Sequence, residues 1–480
     1  MTQPSSQPRA QVAPVAIVLA AGQGTRMKSA LPKVLHPVLG RPMVTYPVQA
    51  ALDAGATQVV VVLGHGREQV APVLTERFGD RVVFAHQEKQ LGTGDAARVG
   101  AAAVPDHTGT FLILYGDAAA ITSECLSALS KRHEGSSALL SLLTVKSGDA
   151  TGYGRIIRGS EGSPVDIREQ RDCSPEEAAL REWNPGVYAV NARFFREAIA
   201  QLDTKNAQGE LYLTDLVALA AKKSVVADVV WPEEELHGVN DRHELAQRER
   251  VMRLRFARKL ARSGVSIRDA ESTFVDADCE IAPDVTLEPG VHLRGKCTIE
   301  SGAYIDAGCV LRNVTVRAGA KLLPYTIATD STIGERAQVG PFSHLRPSSE
   351  LGADAHVGNF VETKKTRIGK GSKANHLAYL GDGVIGDNVN VGAGTIFCNY
   401  DGFAKHVTVL EDGAFIGSDS QIVAPVTVGK DGYVATGTTV TMDVPPGALA
   451  IGRSKQANKD GLGIRLREKL RAQAAAAKKK

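Results

Sequence analysis

The chain's chemistry starts at a glycine loop with cations close behind. The stretch VAIVLAAGQGTRMKSALPKVL, residues 15–35, places Gly22 and Gly24 after an apolar run, with Arg26 and Lys33 just beyond. Glycine lets backbone N–H groups approach phosphate oxygens, and the two cations supply the charge a polyanion needs. No Gly-Lys-Ser/Thr closes the loop, so it is not a P-loop, and Met27 stands where a dinucleotide fingerprint has its third glycine. A Gly-x-Gly alone fits a plain strand-to-helix turn equally well. Its combination with Thr25-Arg26 and Leu31-Pro32-Lys33 points to phosphate handling. Tyr115-Gly116-Asp117 ends a later apolar run, at the strand end where α/β sheets bind ligands.

The elements that must position these groups are legible from periodicity. Apolar strands at 15–20, 59–63 and 111–115 alternate with helical stretches such as 43–54, which is the grammar of an α/β fold with a mostly parallel sheet. This domain extends from 15 to 240. Residues 241–264 read as a linker helix with eight Lys or Arg among 241–263, solvated on one face and docked through Leu245, Met252, Leu254, Phe256 and Leu260. Asp241, Glu244 and Glu249 among the cations argue against a nucleic-acid helix. From 265 to 453 aliphatic residues recur every six positions, as in Leu287, Leu293, Ile299, Ile305 and Leu311, and again in Leu410, Ile416, Ile422, Val428, Val434 and Val440. A period of six marks hexapeptide repeats wound into a parallel β-helix of about ten coils, at ~18 residues per three-sided coil. The beat stops between Ile396 and Val407, which predicts a loop projecting from the solenoid.

Composition narrows the classes. With 480 residues, 43% hydrophobic, and a net charge of +3, the chain has full cores and no overall field for nucleic acid or membrane. No apolar run approaches the ~18 residues of a membrane span. The short run from Val12 to Ala21 is read as a buried first strand rather than a signal segment. Six cysteines without metal-type spacing suit a reducing, cytoplasmic compartment, and Cys279, Cys297 and Cys309 read as small apolar fillers inside repeats. Residues 1–14 read as a disordered leader and 454–480 as a basic tail of frayed helix or disorder.

The first loop resembles that of sugar-phosphate nucleotidyltransferases, and Gln90-Leu91-Gly92-Thr93-Gly94 resembles their base-reading segment. The resemblance implies that Leu19, Ala20, Ala21, Gly22, Lys33, Gln87, Gly92, Thr93, Tyr115, Gly116 and Asp117 contact UTP. It further implies that Gly154, Glu169, Asn184 and Asn240 face the sugar and its phosphate, with Arg26 and Lys33 acting on the triphosphate. Asp117 and Asn240 would hold Mg2+, which keeps several waters and needs few protein ligands. Considered without the resemblance, Asp117 could be a helix N-cap and Asn240 a turn residue.

The stretch NFVETKKTRIGKGSKANHLAYLGDGVIGDNVNVGAGTIFCNYDG, residues 359–402, closely resembles a second activity. It matches the acetyltransferase half of the bifunctional N-acetylglucosamine-1-phosphate uridyltransferase and glucosamine-1-phosphate N-acetyltransferase family. Both motif sets occur in order over roughly 15–455. By position, His376 would be the general base, since a sugar amine attacks a thioester only when free of its proton and imidazole titrates near neutrality. Arg346, Lys364, Tyr379, Asn390 and Lys405 would bind glucosamine 1-phosphate. Ala393, Asn399, Tyr400, Ser418, Thr436 and Arg453 would bind acetyl-CoA. The resemblance also implies a left-handed β-helix, opposite to the usual crossover preference, and a homotrimer.

Three positions depart from the family pattern. Ala118-Ala119-Ala120 stands where a proline is usual and leaves room for a looser turn beside Asp117. Pro185 follows Asn184 and removes a backbone N–H. Thr436 replaces a smaller residue. Two rival readings are a monofunctional glucose-1-phosphate nucleotidyltransferase with a structural β-helix, and a non-catalytic assembly protein. The intact NHLAYLGD and CNYDG segments oppose the first; intact Arg26, Lys33, Asp117 and His376 oppose the second.

Overall fold

The computed structural model describes residues 12–146 and 149–478. Most of the leader expected over 1–14 lies outside the described residues; within its last three, the Pro14 carbonyl accepts the Thr57 backbone N–H at 3.1 Å. The chain forms two compact units. One runs to Arg262 and takes in Ala270–Asp278; the other is Ser263–Asp269 with everything from Cys279.

In the first unit, Val15–Ala20 is buried at every position, as a strand covered on both faces must be. It pairs in parallel with Gln58–Leu63 on one side and Thr110–Tyr115 on the other, and Val82–His86 extends the parallel set. Alternate residues feed two cores. Ala16, Val18 and Ala20 face the helices Thr45–Asp53, Arg67–Phe78 and Ser123–Glu134; Val15, Ile17 and Leu19 face Thr93–Ala102, Ala192–Ile199 and Asp215–Ala221. Beyond Thr110–Tyr115 the sheet continues antiparallel through Tyr188–Asn191, Leu140–Lys146, Glu182–Asn184, Gly154–Arg158 and Pro164–Arg168. The strands therefore deliver Ala20, His86 and Tyr115 to one edge, and Asn184 and Gly154 to the neighbouring half.

The helix expected over 241–264 spans Arg242–Arg262. It is not merely solvated: Arg248 and Arg253 are buried, the first donating to the Glu234 carbonyl at 3.0 Å and the second lying over the Phe274 ring. The three alanines 118–120 are also buried, with Ala119 and Ala120 packed among Met27, Met43, Val239 and Met252. The Ile121 N–H closes their turn on the Ala118 carbonyl, and the Arg255 guanidinium holds the Ala120 carbonyl at 2.6 Å.

The second unit is a three-faced solenoid of short parallel strands, with faces of eleven, ten and nine strands. Most coils are offset by 17 or 18 residues, as in Tyr304↔Lys321 and His292↔Val310. The six-residue beat fills its interior: Leu287, Leu293, Ile305, Leu311, Val339, Leu345, Ile416 and Val434 are fully enclosed. Interior hydroxyls add a polar layer. Ser349 donates to the Arg346 carbonyl at 2.6 Å, Thr366 to that of Leu380 at 2.8 Å and Ser372 to that of Gly386 at 2.6 Å. Around the insertion the offset widens to 25, as in Asn390↔Phe415, and pairing then resumes in register. The tail forms an exposed helix, Leu462–Ala477.

Leu311→Ala should leave a cavity in a layer with no slack. The expected cost is about 2–5 kcal/mol, read as a lower denaturant midpoint for the solenoid transition.

Candidate functional site

The strand ends of the first unit surround a cleft of about 410 Å³. Leu19, Ala20, Ala21, Gly22, Lys33, Gln87, Gly92, Thr93, Tyr115, Asp117, Gly154, Glu169, Asn184 and Asn240 all line it. Two sequence-derived candidates do not. Gly116 lies behind the wall, its N–H bonded to the Leu19 carbonyl. Arg26 is exposed and lines a separate depression with Lys28, Asp241, Arg242 and His243.

Local geometry explains how the wall is built. Gly24 has φ +63°, and a Cβ there would lie 2.5 Å from Lys33 Cβ, so the loop folds directly onto the lysine stem. Lys33 reaches across the cleft and its ammonium pairs with the Asp117 carboxylate. Asp117 is therefore not a helix cap; Thr122 caps Ser123–Glu134. Gly186, at φ +78°, lets the chain pass the Tyr115 ring, where a Cβ would come within 1.9 Å. Burial pushes the Tyr115 phenol well above its ordinary value. The Asn184 amide spans Pro185: its oxygen accepts the Gly186 N–H at 3.0 Å and its nitrogen donates to the Tyr188 hydroxyl at 2.6 Å. The missing N–H of Pro185 is thus not needed.

Asn240 enters from the loop before the Arg242–Arg262 helix. Asp241 accepts the His243 and Glu244 N–H groups at 2.9 Å, and Glu244 accepts that of Asn240 at 2.6 Å. Gly238 lies so near Asp117 that a Cβ would stand 3.3 Å from its Oδ1. On the base-reading side the Gln87 amide donates to Asp95 at 2.8 Å, and the Gln90 amide donates to the Ala21 carbonyl at 2.7 Å, tying that segment to the phosphate loop. Burial raises the Glu169 carboxyl, against the Thr214 hydroxyl that donates to it at 3.0 Å. Next to it Asp215 is pushed up to about 6 by burial and by the carboxylates of Asp166 and Asp203. Tyr153, Glu210 and Asp215 were not singled out from the sequence; none sits in a recognisable string.

In the solenoid, strand register aligns the acyl-transfer candidates. Asn359 pairs with His376, and the Lys373↔Asn390, Asn390↔Phe415 and Phe415↔Tyr433 steps carry the file upward. His376, Ala393, Ser418 and Thr436 thus occupy equivalent places in four consecutive coils, at the ~4.8 Å spacing of paired strands. Backbone bonds follow the same edge, from the Asp419 N–H to the Ala393 carbonyl at 2.7 Å and from the Gly437 N–H to that of Ser418 at 2.9 Å. The Arg453 guanidinium donates to the Thr436 carbonyl, bringing that cation to the head of the file.

His376 is exposed at its strand's end; Leu377 turns the corner at φ +49°, and Tyr379 begins the next face. On that face Arg346 lies one coil below Lys364, its N–H bonded to the Thr363 carbonyl, and its guanidinium meets Glu362 at 2.7 Å. Asn390 lies one coil above Lys373, on the His376 strand. The buried Asn399 amide donates to Asp382 at 2.5 Å and anchors the inserted loop. In that loop Lys405 lies 5.0 Å over the Tyr400 ring, and the half-buried His406 meets the exposed Asp401 at 2.6 Å.

The raised Asp215 carries a pH signature. The folded state holds its proton between its ordinary 3.8 and about 6, so its contribution favours folding at low pH and is lost as pH rises through 6. Asp215→Asn should therefore raise the thermal midpoint at pH 7–8, with an advantage that shrinks from pH 6 to pH 4.

A nucleotidyl transferase family model matches residues 15–232, and a model described as the hexapeptide repeat of succinyl-transferase matches 407–442. The bifunctional protein GlmU of Sorangium cellulosum is 55% identical over 461 residues, spanning 95% of this chain and 97% of its own. That of Geobacter metallireducens is 46% identical over 478 residues, spanning 94% and 99%. The architecture is a nucleotidyltransferase unit followed by a left-handed β-helix of hexapeptide repeats. With nearly the whole length matched at 46–55% identity, the chain belongs to the GlmU family of bifunctional proteins.

Proposed function

We infer that the chain is a bifunctional enzyme of UDP-N-acetylglucosamine synthesis. The solenoid acetylates glucosamine 1-phosphate with acetyl-CoA, and the first unit joins the product to UMP from UTP, releasing pyrophosphate. The observation that carries the reading is the vertical file of His376, Ala393, Ser418 and Thr436, which sets a proton acceptor in line with a path for a long thioester.

In acetyl transfer, Arg346, Lys364 and Lys405 hold the sugar phosphate while Tyr379 and Asn390 orient the ring. His376 takes the proton from the attacking amine as nitrogen bonds to the acetyl carbon and the coenzyme leaves as its thiolate. No covalent enzyme intermediate is required. Ala393, Ser418 and Thr436 offer backbone groups to the coenzyme, the Asn399–Tyr400 loop covers it, and Arg453 meets its phosphates.

In uridylyl transfer, a phosphate oxygen of N-acetylglucosamine 1-phosphate attacks the α-phosphorus of UTP, and the bond to the β-phosphate breaks. Both partners are anions, so the barrier is largely repulsion and alignment. Lys33 supplies charge from inside the cleft, and Arg26, exposed outside it, adds charge toward the entering triphosphate. Gln87, Gly92 and Thr93 receive the base; Gly154, Glu169 and Asn184 receive the sugar. Asp117 and Asn240 offer hard oxygen donors in one cleft, a set that suits Mg2+, which uses one or two carboxylates beside substrate phosphates. Among the described residues no group of three or more His, Cys, Asp and Glu side chains could hold a metal ion. Bound at Asp117 and Asn240, Mg2+ would neutralise triphosphate charge.

A corner file of exposed Tyr325, Phe342, Phe360 and Leu377, with ring centroids 5.3 and 5.5 Å apart, supports assembly between solenoids, which we take to be a homotrimer. Among the described residues no helix is long and apolar enough to cross a membrane, and the free thiols suit the cytoplasm.

The test follows free thiol and pyrophosphate separately with glucosamine 1-phosphate, acetyl-CoA and UTP. His376→Ala should lower acetyl transfer by at least about 100-fold, the lower end of general-base effects, and leave uridylyl transfer within about twofold. Lys33→Ala should do the reverse. Equal loss of both activities in either folded variant would overturn the assignment.

A further inference from the structure

Three rings of the first unit have no part in the roles above. Trp183, the largest fully buried side chain, stacks on Tyr153 with centroids 4.0 Å apart and planes at 28°. The His237 ring completes the group, 5.1 Å from Trp183 and 5.7 Å from Tyr153. Tyr153 Oη and His237 Nδ1 share a hydrogen bond of 3.1 Å, and the Gly238 backbone N–H reaches the same phenol.

The Tyr153 side chain belongs to the cleft lining, whereas Trp183 and His237 each sit one residue from lining positions. Tyr153 lies between Gly152 and Gly154, Trp183 precedes Asn184, and His237 lies between Leu236 and Gly238. Those three wall segments enter from separate elements and have no shared backbone ladder at His237. Gly154 and Asn184 pair with each other, whereas the 236–240 loop is held to them by side chains. The same loop abuts Asp117 through Gly238 and carries Asn240.

We propose that Tyr153, Trp183 and His237 are positioning residues for uridylyl transfer, locking the 238–240 loop to the sugar side of the cleft. The inference rests on the role proposed for Asn240. The stack supplies a rigid apolar base, and the polar contacts of the Tyr153 hydroxyl with His237 and Gly238 set the height of the loop above it. Burial, with the nearby Arg248 cation, lowers the basicity of His237. In-line attack tolerates little misplacement, about 100-fold in rate for ~1 Å.

The experiment measures steady-state uridylyl transfer with saturating Mg2+. His237→Ala should lower kcat about 10- to 100-fold with the UTP KM within about threefold, the pattern of lost alignment rather than lost binding. His237→Asn, which keeps a hydrogen-bonding group near the Nδ1 position, should recover most of the loss. Tyr153→Phe removes only the hydroxyl, keeps the stack, and should show the same kcat effect. Acetyl transfer by the same preparations should be unchanged. An unchanged kcat in both His237→Ala and Tyr153→Phe, or equal loss in Ala and Asn variants, would overturn the proposal. Asn240→Ala separates the two ideas: if it is inactive while His237→Ala is not, only the positioning fails; if it retains full activity, the role of Asn240 itself falls.

Discussion

In-register hydrogen bonding between parallel strands is the constraint on which both halves depend. Parallel strands can only run the same way, so in the first unit they bring Ala20, His86 and Tyr115 to one edge. The loops that follow then have nowhere to go but around a common cleft. In the solenoid the same pairing stacks equivalent residues at one strand spacing, turning positions distant in sequence into neighbours. Neither site is built from one local segment. Each is a consequence of which backbone groups bond to which.

That constraint also sets what the sequence could reveal. The apolar strands, the six-residue beat and the glycine loop were legible because each is a local pattern with one physical meaning. Gly22 and Lys33 stood out by residue type, and the rest of the wall from Leu19 to Asp117 followed from the resemblance of its strings to the family's motifs. The His376 file was not legible as geometry. Its steps are 17, 25 and 18 residues, because the inserted loop breaks the arithmetic between Ile396 and Val407. Tyr153, Trp183 and His237 could not be found at all, since their contacts join strands and a loop that carry no shared motif. Arg26 shows the opposite case: its residue type and place in the string promised a cleft contact, yet it lies exposed in a separate depression.

The two sites handle charge differently. The cleft buries its anion-handling groups and compensates them in pairs, with Lys33 against Asp117 and Thr214 against Glu169. Where compensation is incomplete, as at Asp215, the proton stays on to higher pH. On the solenoid the cations sit on exposed faces, and the carboxylates near them remain solvated. A buried cleft suits a triphosphate whose charge must be cancelled within a small volume. An open edge suits a long coenzyme that must enter and leave lengthwise.

The hydroxyls inside the solenoid have a bearing on its tolerance to insertion. Ser349, Thr366 and Ser372 are matched to particular carbonyls, so a strand shifted by one residue would send those groups to solvent and strand apolar ones with them. Extra length can therefore be absorbed only as a complete loop at a corner. The prism behaves like a threaded rod with a keyway: it may grow a handle between coils, but no coil can creep along the thread and carry its chemistry out of line.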